Sequence, residues 1–545
     1  MKIALAQLNY CIGNFEQNTK KIIGAALKAK ADGADLVVFS ELSVCGYFPF
    51  DCLEFDDFID NCQKALDEIA EKCFDIPVLV GAPLRNDIEG QKPLFNAAIF
   101  LYQNQRQVFK KKYIGDNPLF DERKYFEPSH DDEHLLDWAG HHIAVALGDD
   151  LANHGTDPIL MENKVDELKK LNPEIVIALA ASAFDYTMPH YRSNVLRQTV
   201  LKHELPLIMV NQVGAQTHLI FDGGSMAFAS NGYIDTALPF FEEAVKIVNT
   251  DNLFINRASE DRLVIPEKMS LIHDALVIGV RDYFQKMGFK NAIIGLSGGL
   301  DSALVTYFAA KAIGSENVRV VLLPSQFSTD HSVSDAVALA EKLGVRYDTV
   351  AIKPIFDSFD TALKPFFEGR PFDVTEENLQ ARIRGVILMA FSNKFGNVLL
   401  NTSNKSEASV GYGTLYGDMC GGLSVIGDVY KSEAYELSRF INRNEEIIPW
   451  HTIEKAPSAE LRPDQKDSDS LPDYSLLDQI LYQYIECSKS AEEIIAQGFE
   501  RAVVERTIKM VNRNEFKRHQ VAPILRVSPR AFGSERLIPI VAKFS

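Results

Sequence analysis

A chain of 545 residues is too long for one hydrophobic core and implies two or three domains. Its 46% hydrophobic and 24% charged residues are globular proportions, and no run approaches the roughly 18 apolar residues that span a bilayer. The net charge of −19 argues against a nucleic-acid-binding surface and confines any phosphate binding to a local pocket.

The first 250 residues alternate strand-like and helix-like segments. KIALAQL is a short strand without the long apolar core of a signal peptide. NTKKIIGAALKAKADG then has helical spacing, DLVVFSE is a strand, and the stretch around Asp57–Cys73 is helical before PVLVGAPL. Residues 95–112 read as a hairpin, followed by the strands IAVAL (143–147), EIVIALAAS (174–182) and PLIMVNQVG (206–214). IFDGGSMAFASNGYI reads as a second hairpin with a glycine turn. The seven cysteines show no CxxC or zinc spacing, which suits reduced thiols in a soluble cytoplasmic protein.

Residues 251–268 turn polar and irregular and are expected to link a first domain, 1–250, to a second, 269–545. The second half opens with a helix, KMSLIHDALVIGVRDYFQKMG, and then repeats βα units. NAIIGLS, VRVVLLPS, RYDTVAI and NVLLNTS are the strands, so a doubly wound parallel sheet with helices on both faces is expected. Ligands in such sheets bind beyond the carboxyl ends of the strands.

IIGLSGGLDSALV (293–305) is a strand running through a Gly/Ser turn into a helix. Gly298 and Gly299 let the backbone approach a ligand, Ser297 and Ser302 offer hydroxyls, and the helix start offers free N–H groups to an anion. A serine-capped turn would explain the glycines alone. Asp301 beside a phosphate is repulsive unless a cation such as Mg²⁺ joins them. SGGLDS resembles the pyrophosphate loop of N-type ATP pyrophosphatases and lacks the Walker pattern.

Downstream blocks narrow the resemblance. ENLQARIRG (377–385) is helical, NKSEASVGYGTLYGD (404–418) follows the last of these strands, and KSEAYELS (431–438), KAPSAELRPDQKD (455–467), LPDYSLLDQIL (471–481) and NEFKRHQVAP (514–523) come after it. Together they resemble the NAD synthetase family from about residue 270 to the end. The resemblance implies an adenine nucleotide alpha hydrolase-like fold, with ATP and deamido-NAD (nicotinic acid adenine dinucleotide) as substrates and Mg²⁺ as the metal. Carried over position by position, it implies that Gly295, Ser297, Gly298, Gly299, Asp301, Ser302, Thr402, Lys431 and Ser458 bind ATP. Asp301 and Glu407 would hold the metal, and Asn378, Arg382, Asp418 and Lys517 the dinucleotide. It also implies a homodimer or higher homo-oligomer assembled through this half.

The first half resembles the nitrilase, or carbon–nitrogen hydrolase, superfamily, which implies an αββα sandwich. FSELSVCGYFPFD (39–51) places Glu41 as the general base, FKKKY (109–113) places Lys111, and LFDERKYF offers Glu122 as a supporting carboxylate. The nucleophile of that family is a cysteine in an I-C-E-D-like stretch. Here the stretch is VALGDDLA, with Gly148 at the cysteine position and Asp149 at the Glu, and no cysteine lies between Cys73 and Cys420. Ser182 is the next hydroxyl after a strand, but the resemblance gives it the holding of glutamine. A substitution made to trap a complex would change one residue. Here Asn117 stands for the expected tyrosine, Ala180 for an asparagine, and Thr217 and His218 for acidic residues.

The reading is thus an AMP-forming ligase that amidates deamido-NAD, with a glutaminase-type domain that has lost its reaction and ammonia as the nitrogen donor. Glutamine-hydrolysing synthesis, with Gly148 an engineered substitution, is the alternative within the enzyme class. A non-catalytic scaffold would be the alternative outside it, and the intact SGGLDS, Glu407 and Lys431 speak against that.

Overall fold

The computed structural model describes residues 1–115, 119–130, 134–151, 164–255, 264–463 and 465–543. The chain divides into two compact units, Met1–Pro266 and Glu267–Ser545. The stretch expected to link them opens with a short helix, Thr250–Phe254, whose Asn249 cap accepts a hydrogen bond from the Asp251 amide.

The first unit begins with β1 (Lys2–Gln7), β2 (Leu36–Val38), β3 (Val78–Arg85), β4 (Leu94–Tyr102), β5 (Gln105–Lys110), β6 (Leu135–Trp138) and β7 (His141–Leu147). It continues with β8 (Ile175–Ala180), β9 (Leu207–Asn211), β10 (Val213–Gln216), β11 (Leu219–Asp222), β12 (Met226–Phe228), β13 (Ile234–Ala237) and β14 (Ala244–Asn249). They form two six-stranded sheets, in the orders β14-β1-β2-β3-β4-β5 and β13-β12-β9-β8-β7-β6, with β10 and β11 a separate hairpin.

Side-chain alternation along each strand builds four layers. Ile3 and Leu5 of β1 join Ile143, Val145 and Ile177 in the core between the sheets. Ala4 and Ala6, facing the other way, are small enough to lie under Ile22, Ala26 and Ala29 of the helix Phe15–Ala31. Against the second sheet, Ala144, Ala146 and Ala178 meet Leu196 and Val200 of the helix Met188–His203. This is the αββα sandwich implied by the sequence.

The second expected hairpin differs in its turn. β11 ends at Asp222, and the chain passes through Gly223 and Gly224 into the other sheet, where β12 pairs with β9 and β13. Gln7 pins the chain just past these glycines, its Oε1 accepting from the Ser225 amide at 2.9 Å and the Ser225 hydroxyl at 2.8 Å. The reversal comes later, around Asn231 and Gly232, where the Gly232 amide donates to the Ala229 carbonyl and the Ala229 amide donates to the Tyr233 carbonyl.

The second unit holds β15 (Ala292–Gly295), β16 (Val318–Leu322), β17 (Arg346–Thr349), β18 (Val398–Asn401) and the two-residue β19 (Leu423–Ser424). They pair in parallel in the order β17-β16-β15-β18-β19. The order reverses at β15, so the crevice beyond the carboxyl ends of β15 and β18 is the topological switch point where ligands seat. Ile293, Val321 and Leu399 pack against Ile383 and Leu388 of the helix Val374–Phe395 on one side of this sheet. No helix among the described residues is long and apolar enough to cross a membrane.

Candidate active sites

Glu41, three residues past β2, is 1% exposed, and Lys111, directly after β5, is equally buried. Glu41 Oε1 accepts from Asn96 Nδ2 at 2.7 Å and from Lys111 Nζ at 2.9 Å. Lys111 Nζ also donates to Glu122 Oε2 at 2.7 Å, and the Tyr47 hydroxyl donates to Glu122 Oε1. Glu41, Lys111 and Glu122, expected as base, lysine and supporting carboxylate, therefore meet in one buried cluster. Gly148 joins them at the end of β7, opening a single turn over Gly148–Asp150 with φ at +43°. A Cβ on Gly148 would lie 2.5 Å from Glu41 Oε2 and 2.9 Å from Lys111 Nζ. The space a nucleophile's side chain would start from is filled by acid and lysine.

Asp150, which the sequence did not single out, ties this turn down. One carboxylate oxygen accepts from the Leu147 amide at 3.1 Å, and the other from the amides of Lys112 and Tyr113 at 3.2 and 2.9 Å. It fastens the end of β7 to the segment that carries Lys111.

In the second unit, the loop from β15 to the helix Leu300–Ile313 is closed by its own serines. Ser302 Oγ donates to the Gly299 carbonyl at 3.0 Å and lies 3.1 Å from Ser297 Oγ, which accepts from the Gly299 amide. Gly298 sits at φ +81°, and a Cβ there would be 2.1 Å from the Ser332 carbonyl oxygen, so only glycine fits. The loop faces a cavity of about 300 Å³ lined by Ser297, Asp301, Thr402, Glu407, Lys431 and Ser458 among others.

Lys431, 4% exposed, bridges Asp301 and Glu407, ion-paired to Asp301 Oδ2 and 3.4 Å from Glu407 Oε1. Asn404 Nδ2 donates to Asp301 Oδ1 at 3.2 Å, and Asn404 Oδ1 accepts from the Glu407 amide at 2.9 Å. Burial pushes the Glu407 carboxyl up to about 8; Lys431 opposes this, and Asp301 adds to it. Burial lowers the Lys431 pKa, but the two carboxylates outweigh it and hold the ammonium above its usual value. Two carboxyls face one buried ammonium, and Glu407 keeps a proton up to about pH 8 that an arriving cation would displace. That donor set fits a hard divalent cation that takes its remaining ligands from phosphates and water.

Of the four residues expected at the dinucleotide, Asp418 lines this cavity. All four converge on the loop 411–418. Thr414 donates its hydroxyl to Asn378 Oδ1 at 2.7 Å and its amide to Asp418 Oδ1 at 2.6 Å. Arg382 Nε donates to the Leu415 carbonyl at 3.3 Å, and Lys517 Nζ to those of Gly411 and Gly413 at 2.8 and 2.7 Å. Ser458 spends its hydroxyl on the Gln465 carbonyl, bracing its own loop at the cavity wall.

Two family models cover most of the chain: NAD synthase over residues 272–521 and carbon-nitrogen hydrolase over residues 2–255. The chain is 43% identical to a glutamine-dependent NAD(+) synthetase of Synechocystis sp. over 99% of both chains. The chain belongs to the NAD synthetase family. A second relative of that name, from Acinetobacter baylyi, is 42% identical over 99% of this chain and 98% of its own. The structure of glutamine-dependent NAD+ synthetase from Acinetobacter baumannii in complex with ADP matches with a TM-score of 0.78 at 39% identity, over 99% of this chain and 98% of that one.

Three positions that depart from the glutaminase pattern, with Ser182, are carried by β8, the segment after it and the β10–β11 turn. Ala180 closes β8, Ser182 donates its amide to Asn211 Oδ1 at 2.9 Å, and Thr217 and His218 form the turn between β10 and β11. Asn117 lies outside the described residues. In the synthetase unit the sequence passed over Arg384, which lines the cavity and donates Nε to the Leu323 carbonyl at 3.1 Å. Burial draws its pKa down to about 10 against the pull of Asp418 and Glu460. Its signal was present in QARIRG, where helical spacing put it on the face away from Arg382.

Proposed function

We propose that this chain makes NAD by ATP-dependent amidation of deamido-NAD with ammonia as the nitrogen donor, releasing AMP and pyrophosphate. The observation that carries the synthesis is Lys431 bridging Asp301 and Glu407 at the mouth of the glycine–serine loop. A carboxylate resists amidation because oxide is a poor leaving group. Attack of the nicotinate carboxylate oxygen on the α-phosphorus of ATP breaks the bond to pyrophosphate and leaves an acyl adenylate. Ammonia then adds to the acyl carbon, loses a proton, and expels AMP.

The residues of this chain act on charge and position. The amides and hydroxyls of the 297–302 loop receive the pyrophosphate, and Lys431 neutralises negative charge as it gathers there. Asp301 and Glu407 would hold Mg²⁺, which when bound supplies further neutralisation of the phosphates. Asn378, Arg382, Asp418 and Lys517 shape the loop that receives the dinucleotide, and Thr402 and Ser458 frame the nucleotide.

Gly148 carries the choice of donor. The relatives at 42–43% identity bear a glutamine-dependent name, and this chain has no side chain at the position where a thiolate would attack. Glu41, Lys111 and Glu122 remain as a paired, buried remnant. We also propose a homo-oligomer built through the synthetase unit, which light scattering on the full chain would test.

The decisive assay measures NAD formation with ammonium or glutamine as the sole nitrogen source. Turnover is expected with ammonium and absent with glutamine. Glutamine-driven turnover that a thiol-alkylating agent abolishes would restore the glutamine-hydrolysing reading.

A further inference from the structure

Lys431 opens the helix Lys431–Ile441, so its backbone N–H and that of Ser432 are among those a helix cannot satisfy internally. The Lys431 amide donates to Ser406 Oγ at 2.8 Å, and the Ser432 amide to Asp478 Oδ2 at 2.8 Å. The Ser406 hydroxyl in turn donates to Asp478 Oδ1. Both carboxylate oxygens of Asp478 are thus committed to the start of this helix, one directly and one through Ser406. Asp478 is 5% exposed and lines no part of the nucleotide cavity.

Asp478 lies on the helix Tyr474–Ile485. One turn earlier, on the same face, Tyr474 sets its ring 5.6 Å from Lys431 Nζ and donates its hydroxyl to Asp467 Oδ2 at 3.0 Å. A single helix therefore grips Lys431 at both ends, with a carboxylate under its backbone and an aromatic face beside its ammonium. A negative charge at a helix start is favourable in itself. Here it also fixes the origin of a long, flexible side chain whose tip must meet phosphate.

We propose that Asp478, relayed by Ser406, is a positioning residue for Lys431 and thereby sets the rate of the ATP-dependent step. The inference rests on Lys431 acting at the phosphates. Asparagine at 478 offers one acceptor oxygen in place of two, so either the Ser432 amide or the Ser406 hydroxyl that anchors the Lys431 amide loses its acceptor, and the helix start shifts. Misplacement by about 1 Å costs about 100-fold in rate.

The test uses the full chain with ammonium as donor and compares Asp478→Asn, Ser406→Ala and Lys431→Ala, singly and with each of the first two combined with the third. Asp478→Asn is expected to lower kcat about 10- to 100-fold with KM for deamido-NAD unchanged. In the Lys431→Ala background the same change is expected to have no further effect. If Asp478→Asn does not fold, Ser406→Ala, which removes only the relay, decides by the same two criteria. Wild-type kcat in the deciding variant, or an undiminished drop without Lys431, overturns the inference. Full turnover in Lys431→Ala would instead remove the phosphate role of Lys431 itself, a result that the other variants cannot mimic.

Discussion

Gly148→Cys is the substitution that asks whether one residue separates this chain from glutamine hydrolysis. The new Cβ starts 2.5 Å from Glu41 Oε2 and 3.0 Å from Oε1, well inside van der Waals contact. Relief requires Glu41 to retreat by about 1 Å, stretching its bonds of 2.7 Å from Asn96 and 2.9 Å from Lys111, and protein interiors are close-packed enough to resist that. Overpacking of this kind costs about 1–3 kcal/mol, and a side chain at φ +43° adds about 1–2 kcal/mol. The expected loss is roughly 2–5 kcal/mol, or a fall of roughly 4–20 °C in the melting temperature of the first unit. Gly148→Ala shares the Cβ and should fall by most of the same amount. Scanning calorimetry on the full chain reads both, and a coupled NAD assay with glutamine as the sole donor reads function. The expected result is a less stable protein that does not turn over glutamine, because Glu41 must move away from its place beside Asn96 and Lys111. A Gly148→Cys protein as stable as wild type and turning over glutamine at the ammonium rate would refute this reasoning.

Asp301→Ala should abolish ATP–pyrophosphate exchange measured with labelled pyrophosphate, since it removes the carboxylate that pairs with Lys431 and lines the cavity proposed for ATP. Gly298→Ala should destabilise the synthetase unit by more than about 3 kcal/mol in urea titration, because its Cβ meets backbone at 2.1 Å in a left-handed conformation and neither can yield. Glu407 makes a pH prediction. With its pKa raised to about 8 from the ordinary 4.5, the folded state holds a proton that the unfolded chain releases between those values. Stability from this group is therefore full at low pH, falls by up to about 1.4 kcal/mol per pH unit between about 4.5 and 8, and levels off above. Glu407→Gln should remove that slope in nucleotide-free protein, seen by urea denaturation across pH 5 to 9; an unchanged slope would assign it to another group.

The parallel sheet and the sandwich were legible because apolar strands and amphipathic helices repeat at their own periods. SGGLDS was legible because each residue does a local job at a strand–helix turn. β19 was not, since two residues carry no period, and it is held by pairing to β18. The Gly223–Gly224 segment looked like a hairpin turn because turn chemistry is local, whereas the contact that decides it comes from Gln7, more than two hundred residues away. Asp150, Arg384 and Asp478 escaped notice for the same reason. Each is an ordinary charged residue in sequence, and its meaning lies in the amides and carbonyls that tertiary folding brings to it.

The buried cluster of Glu41, Lys111 and Glu122 also constrains how the first unit can change. Removing one member of a buried ion group strands the charge of the others and costs about 3–5 kcal/mol, a large part of what holds a domain together. Drift can replace Gly148's neighbours on the surface freely, but it cannot discard these three one at a time. They are locked in as a set, each the reason the next cannot leave, whatever chemistry the cluster serves.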